Sequence, residues 1–456
     1  MTAAGVSAAR LELELQSCLG TRSMRGATAQ GIAFWLCCAY VLSQIYLVPV
    51  WLVGPSWSVW PSLTDLLFPV MLVLLPFLRR AAGRLSSDTV VLQRFFWALA
   101  IGSALSYVVL TLDPFHLNPG AAFNDKGQGV GLYQLYRVTQ SLIVFWLVMR
   151  TPLTVSRRRL LCRVVGITFW VSAALLLADY FHLLATPTLA PQIPKDLNVA
   201  GPWAFYSRGI VGQAVGAIGF HHVYPCIQLL ALAALYLHLL YSKNVWLQSL
   251  VLGCLWTCGF VSGSRGGFVA ICVFVAAVVI ANPRRFLAMV VVVATLVVGC
   301  FHFSESFSQA FSAAVDRQGT ISTSYEDDGF AGRVEIWNER VALLNENAVS
   351  WLVGTGFGSA VQSGSNGHML FLHVTLECGL IGLAAFFIVT WKILAFVWRR
   401  PAARIVYFGT IALLISALTQ ETFYPVPSLS QFGGLYLFCV GIALHETAKR
   451  QGGVVA

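Results

Sequence analysis

Charge is what this chain has least of. Charged side chains make up 11% of its 456 residues, while 57% are hydrophobic. A soluble globular domain carries about 25% charged residues, so a water-soluble fold is excluded. Other things are missing too. The eleven cysteines fall almost all inside apolar runs, as at Cys37, Cys38, Cys254, Cys258, Cys272 and Cys439. With none in the two longest polar loops, they read as small buried hydrophobes and exclude a disulfide framework. Outside the apolar runs no His, Asp or Glu cluster has ligand spacing, so no metal is expected. The acidic run Glu326, Asp327, Asp328 reads as a solvated loop face. Internal repeats and low-complexity tracts are absent, and with them the inverted-repeat signature of many transporters. No cleavable signal is expected, because the residues before the first apolar run are polar and mixed in charge.

What the chain does have is apolar runs of about 17 to 25 residues, the length that crosses a bilayer. We count about twelve, near 31–53, 62–78, 93–112, 131–149, 161–183, 223–241, 245–262, 265–282, 286–303, 368–396, 403–420 and 430–447. The fold class is therefore an all-α polytopic membrane protein, a single integral membrane domain over 1–456. The loops between the runs alternate in cations. Even-numbered loops carry Arg79, Arg80 and Arg84, then Arg150 and Arg157 to Arg159, Lys243, Arg284 and Arg285, and Arg399, Arg400 and Arg404. Odd-numbered loops carry few for their length. This follows the positive-inside rule and puts both termini in the cytoplasm. It also accounts for the net charge of +10 without nucleic acid.

Two external loops are long, 185–222 and 304–367, and long loops in a compact protein tend to be functional. The first is rich in proline. In the second, Val334, Trp337, Val341 and Leu344 fall at helical spacing. They predict an amphipathic helix over 332–346, lying against the membrane face or over a cavity. The glycine-rich GTGFGS, Gly354 to Ser359, follows no strand, so it is no dinucleotide fingerprint and reads as a flexible turn.

A few cations fall on the side the positive-inside rule does not explain: Arg137, Arg208, Arg265, Arg317, Arg333 and Arg340. Such charges face a polar cavity or a partner, or form a structural ion pair, or snorkel to headgroups. Arginine offers a planar, permanently charged fork that grips phosphate oxygens two at a time. Several together at an external membrane surface suit a lipid pyrophosphate. His368 opens a span just after a polar stretch, at the depth of a lipid-carried headgroup. His373, His302, His221 and His222 read as structural.

Four pieces occur in order: GSRGGFVA at 263–270, GRVEIWNE at 332–339, GTGFGS at 354–359, and H-x3-L-x4-E-x-G-L-I-G-L from His368 to Leu383. Together they resemble the bacterial O-antigen ligase and polymerase superfamily, from about Val261 to Phe387. Met369 departs from the pattern, since many members carry Asn after this His. Arg208 and Gly219 match the R-x10-G pattern described for polymerases. The resemblance implies a GT-C-like architecture with a helical periplasmic loop region between spans 9 and 10. It implies a metal-independent, inverting glycosyltransferase of the bacterial inner membrane with a periplasmic active site and no cofactor. The donor would be a glycan on undecaprenyl pyrophosphate. The acceptor would be a lipid A–core sugar hydroxyl in a ligase, the preferred reading, or another lipid-linked repeat unit in a polymerase. It carries catalytic roles onto Arg265, Arg333 and His368. Arg265 and Arg333, with Arg208 and Arg137, would bind pyrophosphate. A transporter or flippase of a lipid-linked or anionic substrate is the rival, but the mid-span segments are nearly charge-free and the cations gather at one face.

Overall fold

The computed structural model describes residues 28–45, 63–81, 87–112, 125–180, 223–240, 245–262, 264–281, 283–303, 312, 315–316, 318–319, 321, 324–359, 369–420, 422–424 and 431–451. Among these residues there are helices and no strand. In chain order they are α1 (Thr28–Ser43), α2 (Leu63–Ala81), α3 (Ser87–Leu112), α4 (Asp125–Arg150) and α5 (Val155–Tyr180). Then come α6 (Val223–Leu239), α7 (Val245–Val261), α8 (Arg265–Ala281) and α9 (Arg284–Phe303). The second long loop holds α10 (Ser324–Asn345) and the short α11 (Ala348–Val353). The chain continues with α12 (Leu370–Trp398), a 3-10 turn (Pro401–Ala403), α13 (Arg404–Ser416) and α14 (Gln431–Gln451).

Each expected span overlaps a helix. Thr89–Val108, Val155–Leu177 and Leu370–Trp398 are long and apolar enough to cross a membrane by length and composition. Thr28–Ser43, Thr64–Leu78, Cys226–Leu239, Val245–Val261, Arg265–Ala281, Pro401–Ser416 and Gly433–Leu444 are shorter apolar helices.

The bundle is built around α6. This helix is apolar on all sides, and Ile227, Leu230, Leu232 and Leu235 are all buried; a helix with no polar stripe belongs in the interior. It packs against α5, α7, α8, α13 and α14. Around that centre α8 lies on α13, α14 on α4, and α12 on α3. Small residues let helices approach closely. A methyl group added at Gly409 of α13 would stand 3.0 Å from the Ala234 Cβ of α6. The outward surface is the reverse of a soluble protein's: Val73, Trp97, Leu112, Ile280 and Trp391 are all well exposed, as lipid-facing side chains are. Threonines within the helices return their hydroxyls to their own backbone, Thr168 to Val164 O at 2.9 Å and Thr410 to Val406 O at 2.9 Å. This satisfies a polar group where water is excluded.

Candidate functional site

The turn between α7 and α8 is tightly made. Ser264 is buried, and its hydroxyl accepts from the Gly267 N–H at 3.2 Å, capping α8. The Ser264 N–H donates in turn to Ser262 Oγ at 3.1 Å. Arg265, half-buried, is the first residue of α8. The next position touches the end of α13: a methyl group added at Gly266 would lie 2.5 Å from Thr419 Oγ1. The same end of α13 receives the start of α12, where the Leu370 N–H donates to Ala417 O at 3.0 Å. The Arg265 turn and the residues just after His368, a hundred positions apart in sequence, thus share one neighbour. His368 itself lies outside the described residues, as do Arg208, Gly219 and Arg317.

The second long loop comes back over this end of the bundle. Gln318 is buried, and its Nε2 donates to Phe260 O, near the end of α7, at 3.1 Å. The expected helix over 332–346 coincides with α10 up to Asn345. Its buried Leu344 packs on buried Leu376 of α12, with Leu343, Trp351 and Leu372 around them. Asn347 caps α11 by accepting from the Val349 N–H at 2.9 Å, and Ser350 Oγ donates back to Leu344 O at 2.8 Å. The inward face is not purely apolar, as the spacing of Val334, Trp337, Val341 and Leu344 had implied. At 100° per residue, positions 333, 337, 340 and 344 fall on one stripe. Arg340 on that stripe is 2% exposed, while Glu335 and Glu339 on the other face are exposed. Burial draws the Arg340 pKa down, with Glu339 opposing it. Arg333 begins the stripe, half-buried.

GTGFGS is not the flexible turn its composition suggests. Gly354, Gly356 and Gly358 have φ of 78°, 108° and 107°, a path suited to glycine. The loop is bound to α12 at a break. Gly379, with φ 65° and ψ −172°, interrupts that helix and turns the preceding carbonyls outward. The Thr355 N–H donates to Leu376 O at 2.7 Å and the Gly356 N–H to Glu377 O at 3.1 Å. Thr355 Oγ1 also donates to Leu376 O, at 2.9 Å, and Ser106 of α3 donates to Glu377 O at 2.8 Å. Broken helices persist in membranes where the protein itself satisfies the freed groups.

Beside the break lies a polar group made of His373, which reads as structural from sequence, Glu377, the acidic position of the His368–Leu383 motif, and Tyr424. His373 Nε2 stands 3.3 Å from Glu377 Oε1, both side chains fully buried. Tyr424 donates to Glu377 Oε2 at 2.5 Å, and its ring centre is 4.6 Å from that of His373. One signal was present: an acidic residue inside an apolar run is costly and marks function by default.

Arg137 sits in α4, 1% exposed. Its fork grips Asp65 of α2 through Nη1 at 2.5 Å and Nη2 at 2.9 Å. Nε donates to Tyr133 Oη at 2.9 Å and Nη1 to Gln140 Oε1 at 2.8 Å. Asp65 also accepts from Tyr136 and Gln140, at 2.7 and 3.0 Å. Of the readings open to this arginine, the geometry displays an ion pair.

Residues 249–387 match the family model described as O-antigen ligase. Over that stretch, under a third of the chain, the protein is similar to the O-antigen ligase and polymerase superfamily. The matched stretch runs from α7 through the first part of α12, so it holds the Arg265 turn, α10, the glycine loop and the break. No curated protein and no solved structure matches the chain.

Proposed function

We propose that this protein is an O-antigen ligase that moves a glycan from undecaprenyl pyrophosphate to a lipid A–core sugar hydroxyl. The transfer takes place at the periplasmic face of the inner membrane, in a GT-C-like bundle of about twelve spans with both termini cytoplasmic. The observation that supports it is the way elements of the matched stretch 249–387 converge on one another and on the end of α13. The Arg265 turn and the start of α12 meet at Ala417–Thr419, and α10 brings the Arg333 stripe onto α12 through Leu344 and Leu376.

In this reading Arg265 and Arg333 hold the pyrophosphate, each with two parallel N–H donors. They stabilise the charge that grows on it as the bond to the anomeric carbon breaks. The acceptor hydroxyl attacks that carbon from the opposite side, so its configuration inverts. His368 takes the hydroxyl proton, and undecaprenyl pyrophosphate leaves. No metal is needed, because the arginines supply the positive charge and pyrophosphate is already a good leaving group. Arg208 and Arg137 are further donor contacts in the proposal. Arg137 is the weakest of the four, since it reaches a phosphate only by loosening its hold on Asp65.

The test is purified protein incubated with lipid-linked repeat units, with and without lipid A–core, in the presence of a chelator. Ligase activity gives glycan on the core and no product without it. A ladder of lengthening lipid-linked glycan without the core would make the protein a polymerase.

A further inference from the structure

The outer part of α12 is a segment apart. The positive φ at Gly379 interrupts the hydrogen-bond ladder, so residues 370–378 are not held in line with 381–398 by the helix itself. This segment follows directly on His368. Its direction must come from ties to other elements, and the chain around the end of α13 supplies two. Ala417 O accepts from the Leu370 N–H at one end of the segment, and Tyr424 donates to the Glu377 carboxyl near the other. The two attachments are roughly 10 Å apart along the helix. The glycine loop and α3 hold the same far end through its carbonyls, and the Tyr424 bond adds a tie through the side chain.

The chemistry of the second tie is what marks it. A carboxyl with no solvent access is costly in an apolar bundle unless hydrogen-bonded. An apolar side chain would fill the same volume more cheaply. Glu377 nonetheless stands there, with His373 at 3.3 Å and the Tyr424 hydroxyl at 2.5 Å. Its own carbonyl is held by Gly356 and Ser106. A hydrogen bond to a carboxyl is directional, as apolar packing is not.

We infer that Glu377 and Tyr424 are positioning residues for the transfer reaction, fixing the angle at which the outer turns of α12 present residue 368. The inference rests on the proposed function. Glu377 lies nine positions beyond residue 368 in sequence, and its carboxyl is fully buried against His373 and Tyr424, so it acts through the segment and not on the reacting atoms.

The experiment compares wild type, Glu377→Gln, Tyr424→Phe and the double variant, at matched folded levels. It measures transfer kinetics with lipid-linked glycan and lipid A–core, and amide hydrogen exchange over 370–378 and 381–398. Each single variant is expected to lower kcat about 10- to 100-fold, the scale of a small misplacement of a reacting group, with donor KM within about twofold. Exchange should rise in 370–378 and stay unchanged in 381–398. The double variant should be no slower than the slower single, because both break one tie. Near-wild-type kcat in both singles, losses that multiply in the double, a loss carried by KM, or unchanged exchange in 370–378 would each overturn the inference. If Glu377→Gln does not fold, Tyr424→Phe carries the comparison, since it keeps the ring and its packing. A wild-type protein that transfers nothing would count against the proposed function instead. The exchange data would then still decide whether Glu377 and Tyr424 hold the segment.

Discussion

Gly354 lies against the main chain just before Gly379, and Gly379 against the main chain just before Gly354. A methyl group on Gly354 would strike the main chain of Glu377, and one on Gly379 would strike the main chain of Leu352. Both residues have positive φ, 78° and 65°. The glycine loop and the break in α12 are therefore one joint, in which each glycine has the main chain beside the other where a side chain would stand.

Alanine at either glycine should cost more than about 2 kcal/mol, from the left-handed backbone together with the steric clash. Gly102 and Gly299 have open space beside them. They also lie inside helices, where alanine is favoured over glycine. Thermal unfolding in detergent should show Gly354→Ala and Gly379→Ala several degrees below wild type, with Gly102→Ala and Gly299→Ala at or above it. Equal melting temperatures for all four would mean the joint is not formed.

Removing one partner of the Asp65–Arg137 pair leaves a buried charge without its counterion, which typically costs about 3–5 kcal/mol. Arg137→Met and Asp65→Leu should each destabilise the protein strongly, and the Asp65→Leu/Arg137→Met double variant should recover much of the loss. Donor affinity of the folded double variant measures any contribution of Arg137 to pyrophosphate binding. A double variant as unstable as the sum of the singles would show that the pair is not coupled.

The helical segments were legible because long apolar runs have few other uses in such a chain. The start of α8 at Arg265 was legible as well, as the first residue of the expected span 265–282. The break was not. The expected span 368–396 reads as one unbroken helix, and although Gly379 is a position of the His368–Leu383 motif, glycine is ordinary enough in membrane helices that it announces no break. Its positive φ follows from contact with a loop some twenty residues earlier, which local sequence does not announce. The same contact turned GTGFGS from a mobile linker, as composition suggests, into a fixed path. Arg340 is one of the cations the positive-inside rule does not explain, and its burial on the inward stripe of α10 with Leu344 is compatible with a structural role.

The cation pattern of the loops predicts that 185–222 and 304–367 are both periplasmic. A thiol at Ser324→Cys should react with a membrane-impermeant reagent in intact spheroplasts, and one at Arg157→Cys should react only after the membrane is opened. Protection of Ser324→Cys until lysis would invert the topology and move the site to the cytoplasm.

The central claim is that two arginine forks hold a pyrophosphate while His368 serves the acceptor. The most direct measurement is transfer rate together with lipid-donor affinity for Arg265→Lys, Arg333→Lys and His368→Ala, at matched folded levels. Lysine keeps the charge and loses the fork. Each Lys variant should therefore bind donor more weakly and transfer about 10²- to 10³-fold more slowly. His368→Ala should slow transfer about 10²- to 10⁴-fold with donor affinity nearly unchanged. Near-wild-type transfer by both Lys variants would reduce the clamp to a general positive field, and near-wild-type transfer by His368→Ala would remove this histidine from the mechanism.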